Sequence, residues 1–545
     1  MDMRFQEKLK KFPPSELWDE YCGFLDLSIE QYMQIQERLL MEQINLYKDC
    51  PLGQRFFKGE APRSMQEFRS RVPLTAYADY ADLLLKQKAE NLPAPPVVWL
   101  QTTWESGSHP VKVAPYTDAM LKTYRRNILG ATLLSTSHQR GKFKVKPGAR
   151  VLYALAPLPY ATGLFPLLTQ SEIDMTYMPS IKEAQKLSFS EQNKQGFKMG
   201  LRRGMDMLFG MTSIIHAVTR NFDSMLRSGS GASWAGRIFT ASPKMAWRIL
   251  HAKYVSHMSG VPVRPRDLFT LDTIVCMGTD TALFRGELEE AWDCKTFELT
   301  GGTETTCVGT ETWGRDGMVF FPDACFYEFI PENEMYRSLD DPDYIPKTYL
   351  MNEISANQNY EIVVTVLKGG AFVRYRVGDV YRCLRTANER EGIRLPQFAY
   401  VDRVPKVIDI SGFTRITERS IRQVIEYSRL PVSDWFACKE YDNDKRSFMH
   451  MYVELSEAAL PDMMINRRLI TEHLGVYFKF YDHDYNDLKR FLGIDPLQLT
   501  ILPGGSLKRY EETYHRPMRK INPPLQDVID LRYLLDPSQK GGIGL

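Results

Sequence analysis

Between about residue 97 and residue 292 the chain repeats one pattern: apolar runs too short for helices alternate with longer helical stretches. The runs Val151–Leu155 and Leu271–Cys276 are of the first kind, and Ala282–Trp292 is of the second. Strands that alternate with helices predict an α/β domain, in which a sheet is covered by helices. One passage, from Val151 to Gln170, is about as long as the ~20 apolar residues that cross a bilayer. Pro157, Pro159, Gly163 and Pro166 interrupt it. It therefore reads as a buried strand, a proline-rich turn and the start of a helix, and no membrane span is expected.

Ser28 with Gln31 forms a capping-box signal, and Tyr32, Met33, Leu39, Leu40, Ile44 and Tyr47 then recur near helical spacing until Pro51. Val97–Leu100 and Val111–Val113 read as two strands around the polar segment Thr102–Pro110. Further on, Met318–Phe321, Phe326–Ile330, Tyr360–Leu367 and Phe372–Tyr375 are strand-like and closely spaced, which predicts a β-rich subdomain over about 318–400. After Arg403 come a turn at Gly412, a helix near Thr417–Tyr427, a strand at Phe448–Leu455 and a helix near Arg468. The expected organisation is a large N-terminal α/β domain over 1–402 and a small α+β C-terminal domain over 403–545.

The charge balance excludes one class of partner. Lys and Arg number 69 against 67 Asp and Glu, a formal charge of +2, which gives no single-sign field for nucleic acid. The 8 cysteines are scattered, with no CxxC pair and no zinc-ligand spacing, so free thiols in a reducing cytoplasm are expected. The start, MDMRFQEKLKKF, is charged where an export signal is apolar.

Three separated elements carry candidate chemistry. In Thr300-Gly301-Gly302-Thr303-Glu304 the glycines let the main chain lie against a flat base or a phosphate, and Glu304 offers a hard oxygen to magnesium. In Tyr375-Arg376-Val377-Gly378-Asp379 a carboxylate follows a strand in a short turn, placed to accept two ribose hydroxyl hydrogen bonds. In Thr102–Pro110 hydroxyls and backbone N–H groups, those of Thr103, Ser106, Gly107 and Ser108 among them, can cradle phosphate, with Lys112 just beyond as a counter-charge. Each alone is commonly an ordinary turn. Lone histidines at 109, 216 and 515 come with no nucleophile or triad signature.

Taken in order, these residues resemble the acyl-adenylate-forming (ANL) superfamily, and within it the GH3-like acyl acid–amido synthetases, which are related to phenylacetate–CoA ligases. The resemblance runs over nearly the whole chain. It begins at Val72-Pro73-Leu74-Thr75-Ala76-Tyr77, passes through Ala156–Gly163 and Met277-Gly278-Thr279-Asp280, and ends with TGGTE, YRVGD and Tyr400-Val401-Asp402-Arg403. Gly317–Pro331 is similar to bacterial GH3-like chains.

The resemblance implies an ANL-type large domain and a mobile small one. It implies ATP and magnesium as cofactors, a small carboxylic acid as substrate, and an amine such as an amino acid, or coenzyme A, as acceptor. Gly278, Thr279, Thr300, Gly301, Gly302 and Thr303 would then contact the nucleotide, Glu304 would orient magnesium, Asp379 would hold the ribose, and Arg403 would sit by ribose and phosphate at the hinge. Pro159, Tyr160 and Gly163 would line the acyl pocket.

Two departures stand out. The phosphate loop carries Trp104, Glu105 and His109 in place of family glycines. Aligning on Pro523-Pro524 puts Asn522 where the family has its adenylation lysine, and Lys520, two residues away and so on the same face of a strand, is taken to serve instead. The rival readings are an acyl–CoA ligase, or a nucleotide-binding relative with weakened or lost adenylation.

Overall fold

The structure, a computed structural model, describes residues 3–102, 111–228, 241–412, 414–428, 431–455, 471–472, 475–476 and 496–536. The chain forms two compact units, with the break along the sequence between Asp402 and Arg403.

The larger unit is built on an 11-stranded sheet. Its parallel half consists of β3 (Arg150–Ala154), β4 (Thr176–Met178), β5 (Met207–Met211), β6 (Thr273–Met277) and β7 (Thr296–Gly302), in the order β4-β3-β5-β6-β7. β3, β5 and β6 are apolar and buried at almost every position because helices cover both faces of the sheet. Alternate side chains enter opposite layers, as strand geometry requires. Val151, Tyr153 and Leu155 pack with Phe165 of the Leu164–Glu172 helix and Leu133 of the Asp118–Ser135 helix. Leu152 and Ala154 pack on the other side with Phe197, Ile249 and Leu288. The passage Val151–Gln170 is thus a buried strand, a turn and a helix, and among the described residues no helix is long and apolar enough to cross a membrane.

The strands expected in the β-rich subdomain of about 318–400 belong to the same sheet. β8 (Thr306–Glu311) pairs antiparallel with β7, and β9 (Met318–Phe320) pairs with β8. Next come β13 (Gln397–Arg403), β12 (Tyr375–Arg385), β11 (Gln358–Val366) and β10 (Cys325–Pro331). The strand expected at Phe372–Tyr375 starts only at Tyr375. Arg374 has φ +42, outside strand conformation, and its guanidinium is buried against Glu328 at 2.8 Å. A separate hairpin of β1 (Val98–Gln101) and β2 (Val113–Tyr116) flanks the segment 103–110.

The N-terminal helix is present over Ile29–Tyr47, with both capping-box hydrogen bonds between Ser28 and Gln31. All eight cysteines are free thiols, seven of them buried.

The smaller unit contains the hairpin of β14 (Val407–Ile410) and β15 (Thr414–Thr417), and a sheet in which β17 (Ser447–Leu455) pairs antiparallel with β16 (Val432–Tyr441) and parallel with β18 (Leu497–Leu502). The expected helix appears at Glu418–Ser428, while the one expected near Arg468 lies outside the described residues. Phe436 stacks on Tyr452 at 4.5 Å and both join Leu507, Tyr510 and Met518 in its core.

Candidate active site

In the large sheet the pairing changes from parallel to antiparallel at β7, whose two neighbours are β6 and β8. In open α/β sheets, ligands sit outside the carboxyl ends of the parallel strands. TGGTE occupies this end of β7. Thr300 and Gly301 break the β7–β8 register, Gly302 ends the strand, and Thr303–Thr305 form the turn into β8. A β-carbon on Gly301 would lie 2.2 Å from the Thr306 carbonyl oxygen, so only glycine lets the two strands approach. The Tyr116 hydroxyl donates to the Thr303 carbonyl at 2.9 Å and ties the turn to β2.

At the neighbouring strand end, Gly278 follows β6 with φ +134, and Thr279 and Asp280 lead into the Thr281–Trp292 helix. Thr279, Gly278 and the TGGTE turn thus share the carboxyl end of two adjacent parallel strands.

Glu304 is buried, and its carboxylate meets the ammonium of Lys112 at 3.1 Å. Tyr375 donates to the same carboxylate oxygen at 3.0 Å, and Lys112 donates to the Tyr375 hydroxyl at 3.2 Å. Burial alone would raise the Glu304 pKa, yet the Lys112 charge and hydrogen bond, with the Tyr375 hydroxyl, bring it down to about 2. Tyr77 forms another wall, with the Lys112 nitrogen 5.6 Å from its ring centre. The VPLT-Y segment is held in place by Thr75, which pairs with Tyr375 through hydrogen bonds of 2.9 Å to Arg374 and Arg376.

Asp379 is not in a turn after a strand but inside β12, on a bulge. Val363 faces Arg376 and Glu361 faces Val380, so Val377, Gly378 and Asp379 stand against the single residue Ile362. Gly378 takes φ +82, which the bulge requires. A side-chain relay then runs from the hairpin to this bulge. Thr300 hydrogen-bonds Tyr381, Tyr381 meets Tyr400 edge-on at 5.4 Å, and the Tyr400 hydroxyl reaches 3.5 Å from the Asp379 carboxylate. Arg376 is occupied by Glu361 at 2.6 Å. Lys112 was legible only as a counter-charge, and Tyr375, Tyr381 and Tyr400 not at all, although two of these tyrosines sit within the quoted motifs.

Thr103, Ser106, Gly107 and Ser108 lie outside the described residues. The Pro159 carbonyl accepts the Gln101 N–H at 3.0 Å, and Tyr160 bridges to Gln101, so this loop is fastened to β1. Gly163 lines a small cavity with Tyr153, Leu158, Tyr177 and Gln192. His216 stacks on Phe284 at 4.0 Å and binds Glu287 at 3.0 Å, a packing role.

Within the smaller unit, Asp409 is fully buried. Burial opposes its charge, but Arg415 at 3.3 Å, Lys439 and Arg403 at 3.7 Å hold it below the usual carboxylate range. Lys520 forms an ion pair with Asp434. Asn522 spends its side chain on backbone, donating to the Val407 carbonyl and accepting from the Lys439 N–H, both at 2.9 Å. Among the described residues no three His, Cys, Asp or Glu side chains gather as a metal site.

Residues 22–225 match the GH3 family N-terminal domain, and residues 318–403 match the GH3 family central domain, together more than half of the chain. The chain belongs to the GH3 family. The GH3 segments include VPLT-Y, Lys112, the Ala156–Gly163 loop, YRVGD and YVDR, while TGGTE lies between the two matched ranges. Solved structures place the GH3 chain in the adenylate-forming fold. The AtGH3.15 acyl acid amido synthetase in complex with 2,4-DB is 16% identical, with 96% of this chain and 97% of that one covered, at a TM-score of 0.53. A 2-hydroxyisobutyryl-CoA ligase in complex with 2-HIB-AMP and CoA is 15% identical over 87% of this chain and 86% of that one, at 0.54. No curated protein sequence matches at a significant level.

Proposed function

We propose that this GH3 protein joins a carboxylic acid to an amine, such as an amino acid, through an acyl-adenylate formed from ATP. The observation that carries the reading is that the TGGTE turn, at the carboxyl end of β7, is linked through Tyr381 and Tyr400 to the Asp379 bulge. The hairpin backbone suits adenine and the α-phosphate, and the Asp379 carboxylate, 3.5 Å from a tyrosine hydroxyl, suits a ribose. Family membership supports the same reading.

In the first step a carboxylate oxygen of the substrate attacks the α-phosphorus, the bond to the β-phosphate oxygen breaks, and pyrophosphate leaves. In the second, the amine nitrogen attacks the acyl carbon, the bond to AMP breaks, and the nitrogen loses a proton. Neither step needs a protein nucleophile, so the residues act by orienting groups and by offsetting charge. A single carboxylate kept ionised, as Glu304 is, fits magnesium, which keeps several waters and takes one or two carboxylates along with substrate phosphates. Bound there, magnesium would neutralise phosphate charge. In the smaller unit Lys520 is the cation we assign to adenylation. Residues 1–402 and 403–545 would act as the two catalytic domains, in a reducing cytoplasm.

ATP–pyrophosphate exchange with a panel of aryl and aliphatic acids, together with hydroxylamine trapping of the adenylate, tests the reading. ATP binding without exchange or trapped hydroxamate for any acid would sink it in favour of a binding protein. The second reading, transfer to coenzyme A, is favoured by the thioester-forming ligase having as similar a fold as the amido synthetase. Product analysis with coenzyme A against amino acids separates the two.

A further inference from the structure

The Pro243–Ser259 helix buries a narrow stripe, Met245, Ile249 and Ala252, against the core of the larger unit. Its opposite face should be polar, as on an ordinary surface helix. It is apolar. Trp247, Leu250, Tyr254 and Met258 follow at spacings of three or four residues and so share one side of the helix. Trp247 is 63% exposed, Tyr254 64% and Met258 68%, and exposed Val261 continues the stripe just past the Gly260 cap. An exposed patch of this kind marks a contact surface.

Charge identifies what it contacts. From Ser224 to Arg266 the sequence has seven Lys and Arg and no Asp or Glu. Exposed Lys244 and Lys253 lie on the two flanks of the apolar stripe, and His251, stacked on Trp247 at 5.1 Å, adds a ring at its edge. Arg248 is turned away and held by the Leu268 carbonyl at 2.8 Å. Acids on the neighbouring segments are occupied: Glu290 pairs with Arg264 at 3.0 Å, Asp223 accepts the Val263 N–H and Asp267 accepts the Arg264 N–H. A second copy on this face would set the same cations against each other, because a two-fold contact pairs a patch with itself. An aromatic and Met-rich face between lysines, with no anion along the helix, complements a bilayer carrying anionic headgroups.

We propose that the Pro243–Ser259 helix lies in the interface of an anionic lipid bilayer, with Trp247, Leu250, Tyr254 and Met258 in the acyl boundary and Lys244 and Lys253 among the headgroups. The protein is then a peripheral membrane binder, and this assignment is independent of the reaction catalysed.

The test is sedimentation of the full chain with phosphatidylcholine vesicles, with and without phosphatidylglycerol. The expected result is binding that requires phosphatidylglycerol and weakens as salt rises. It should fall about tenfold or more in Trp247→Ser/Tyr254→Ser/Met258→Ser and in Lys244→Glu/Lys253→Glu. Both variants keep the buried stripe, and an unchanged circular dichroism spectrum confirms their fold. If the aromatic variant does not fold, the lysine variant decides. Absence of binding, or equal binding by parent and variants, overturns the assignment. So does a concentration-dependent dimer that these substitutions abolish, since the face would then cover a second copy.

Discussion

Lys112 and Glu304 are 192 positions apart in sequence and form a buried ion pair 3.1 Å long, with Tyr375 hydrogen-bonded to both. The pair joins Lys112, two residues past the 103–110 segment, to the turn that follows β7. Removing one partner leaves the other charge buried and uncompensated, at a cost of about 3–5 kcal/mol. Glu304→Gln and Lys112→Met are each expected to lower the unfolding free energy of the larger unit, read from urea titration, by that amount, and the double variant to lose less than their sum. Additive losses would mean that the two side chains do not interact.

The same carboxylate sets an acid dependence. Its pKa is about 2 in the folded protein, against an ordinary value of 4.5, so between these the unfolded chain binds more protons. Its stabilising contribution is complete above pH 4.5 and is lost as pH falls toward 2. In denaturant titrations across that window, Glu304→Gln should show a shallower acid slope than the parent. An identical slope would place the acid sensitivity elsewhere.

The two glycines of TGGTE are predicted to differ. A β-carbon at Gly301 meets a backbone oxygen at 2.2 Å, whereas at Gly302 the nearest atom is the Thr305 hydroxyl at 3.3 Å. Gly301→Ala should cost about 1–3 kcal/mol, the range for overpacking, and abolish AMP binding. Gly302→Ala should cost less than about 1 kcal/mol. Calorimetric titration with AMP and thermal unfolding of both variants check this, and equal effects would refute the hairpin geometry.

Asp379 stands on the bulge, outside the regular ladder, so its loss should affect ligand more than fold. Asp379→Ala is expected to weaken AMP binding about ten- to a hundredfold, as for lost hydrogen bonds to a charged group, with stability unchanged within about 0.5 kcal/mol. Unaltered affinity would remove Asp379 from the nucleotide site.

Lys520 and Asn522 should separate chemistry from stability. The Lys520–Asp434 pair is partly exposed and contributes little, about 1 kcal/mol at most. Lys520→Ala should therefore slow ATP–pyrophosphate exchange about a hundredfold with the smaller unit intact. Asn522→Ala leaves the Lys439 N–H and Val407 carbonyl without their partners and should cost about 1–3 kcal/mol. The opposite pattern would return the lysine's role to position 522.

What the sequence made legible was local. The Ser28 cap, the helix after it and the broken apolar run at Val151–Gln170 rest on spacings within about twenty residues, and they appear as expected. TGGTE read as a glycine-rich loop and forms the turn from β7 to β8, whereas the turn read at YRVGD lies within β12. The bulge did not show, because three residues against one is a relation between β11 and β12 that neither strand carries alone. For the same reason the strands of about 318–400 gave no sign that they extend the parallel sheet. Their continuity with the parallel half depends on β9 meeting β8, which no local pattern encodes. The tyrosine relay and the Lys112–Glu304 pair are also products of packing between distant segments.

The bulge in β12 has a consequence for how such a site changes over generations. Arg376 and Val380 hold the register with β11, while positions 377 and 379 are relieved of that duty. Substitutions can accumulate at those two positions without loosening the sheet, so ligand preference is free to drift on a scaffold that does not. A library randomised at 377 and 379 should yield mostly folded proteins, and one randomised at 376 and 380 mostly unfolded ones.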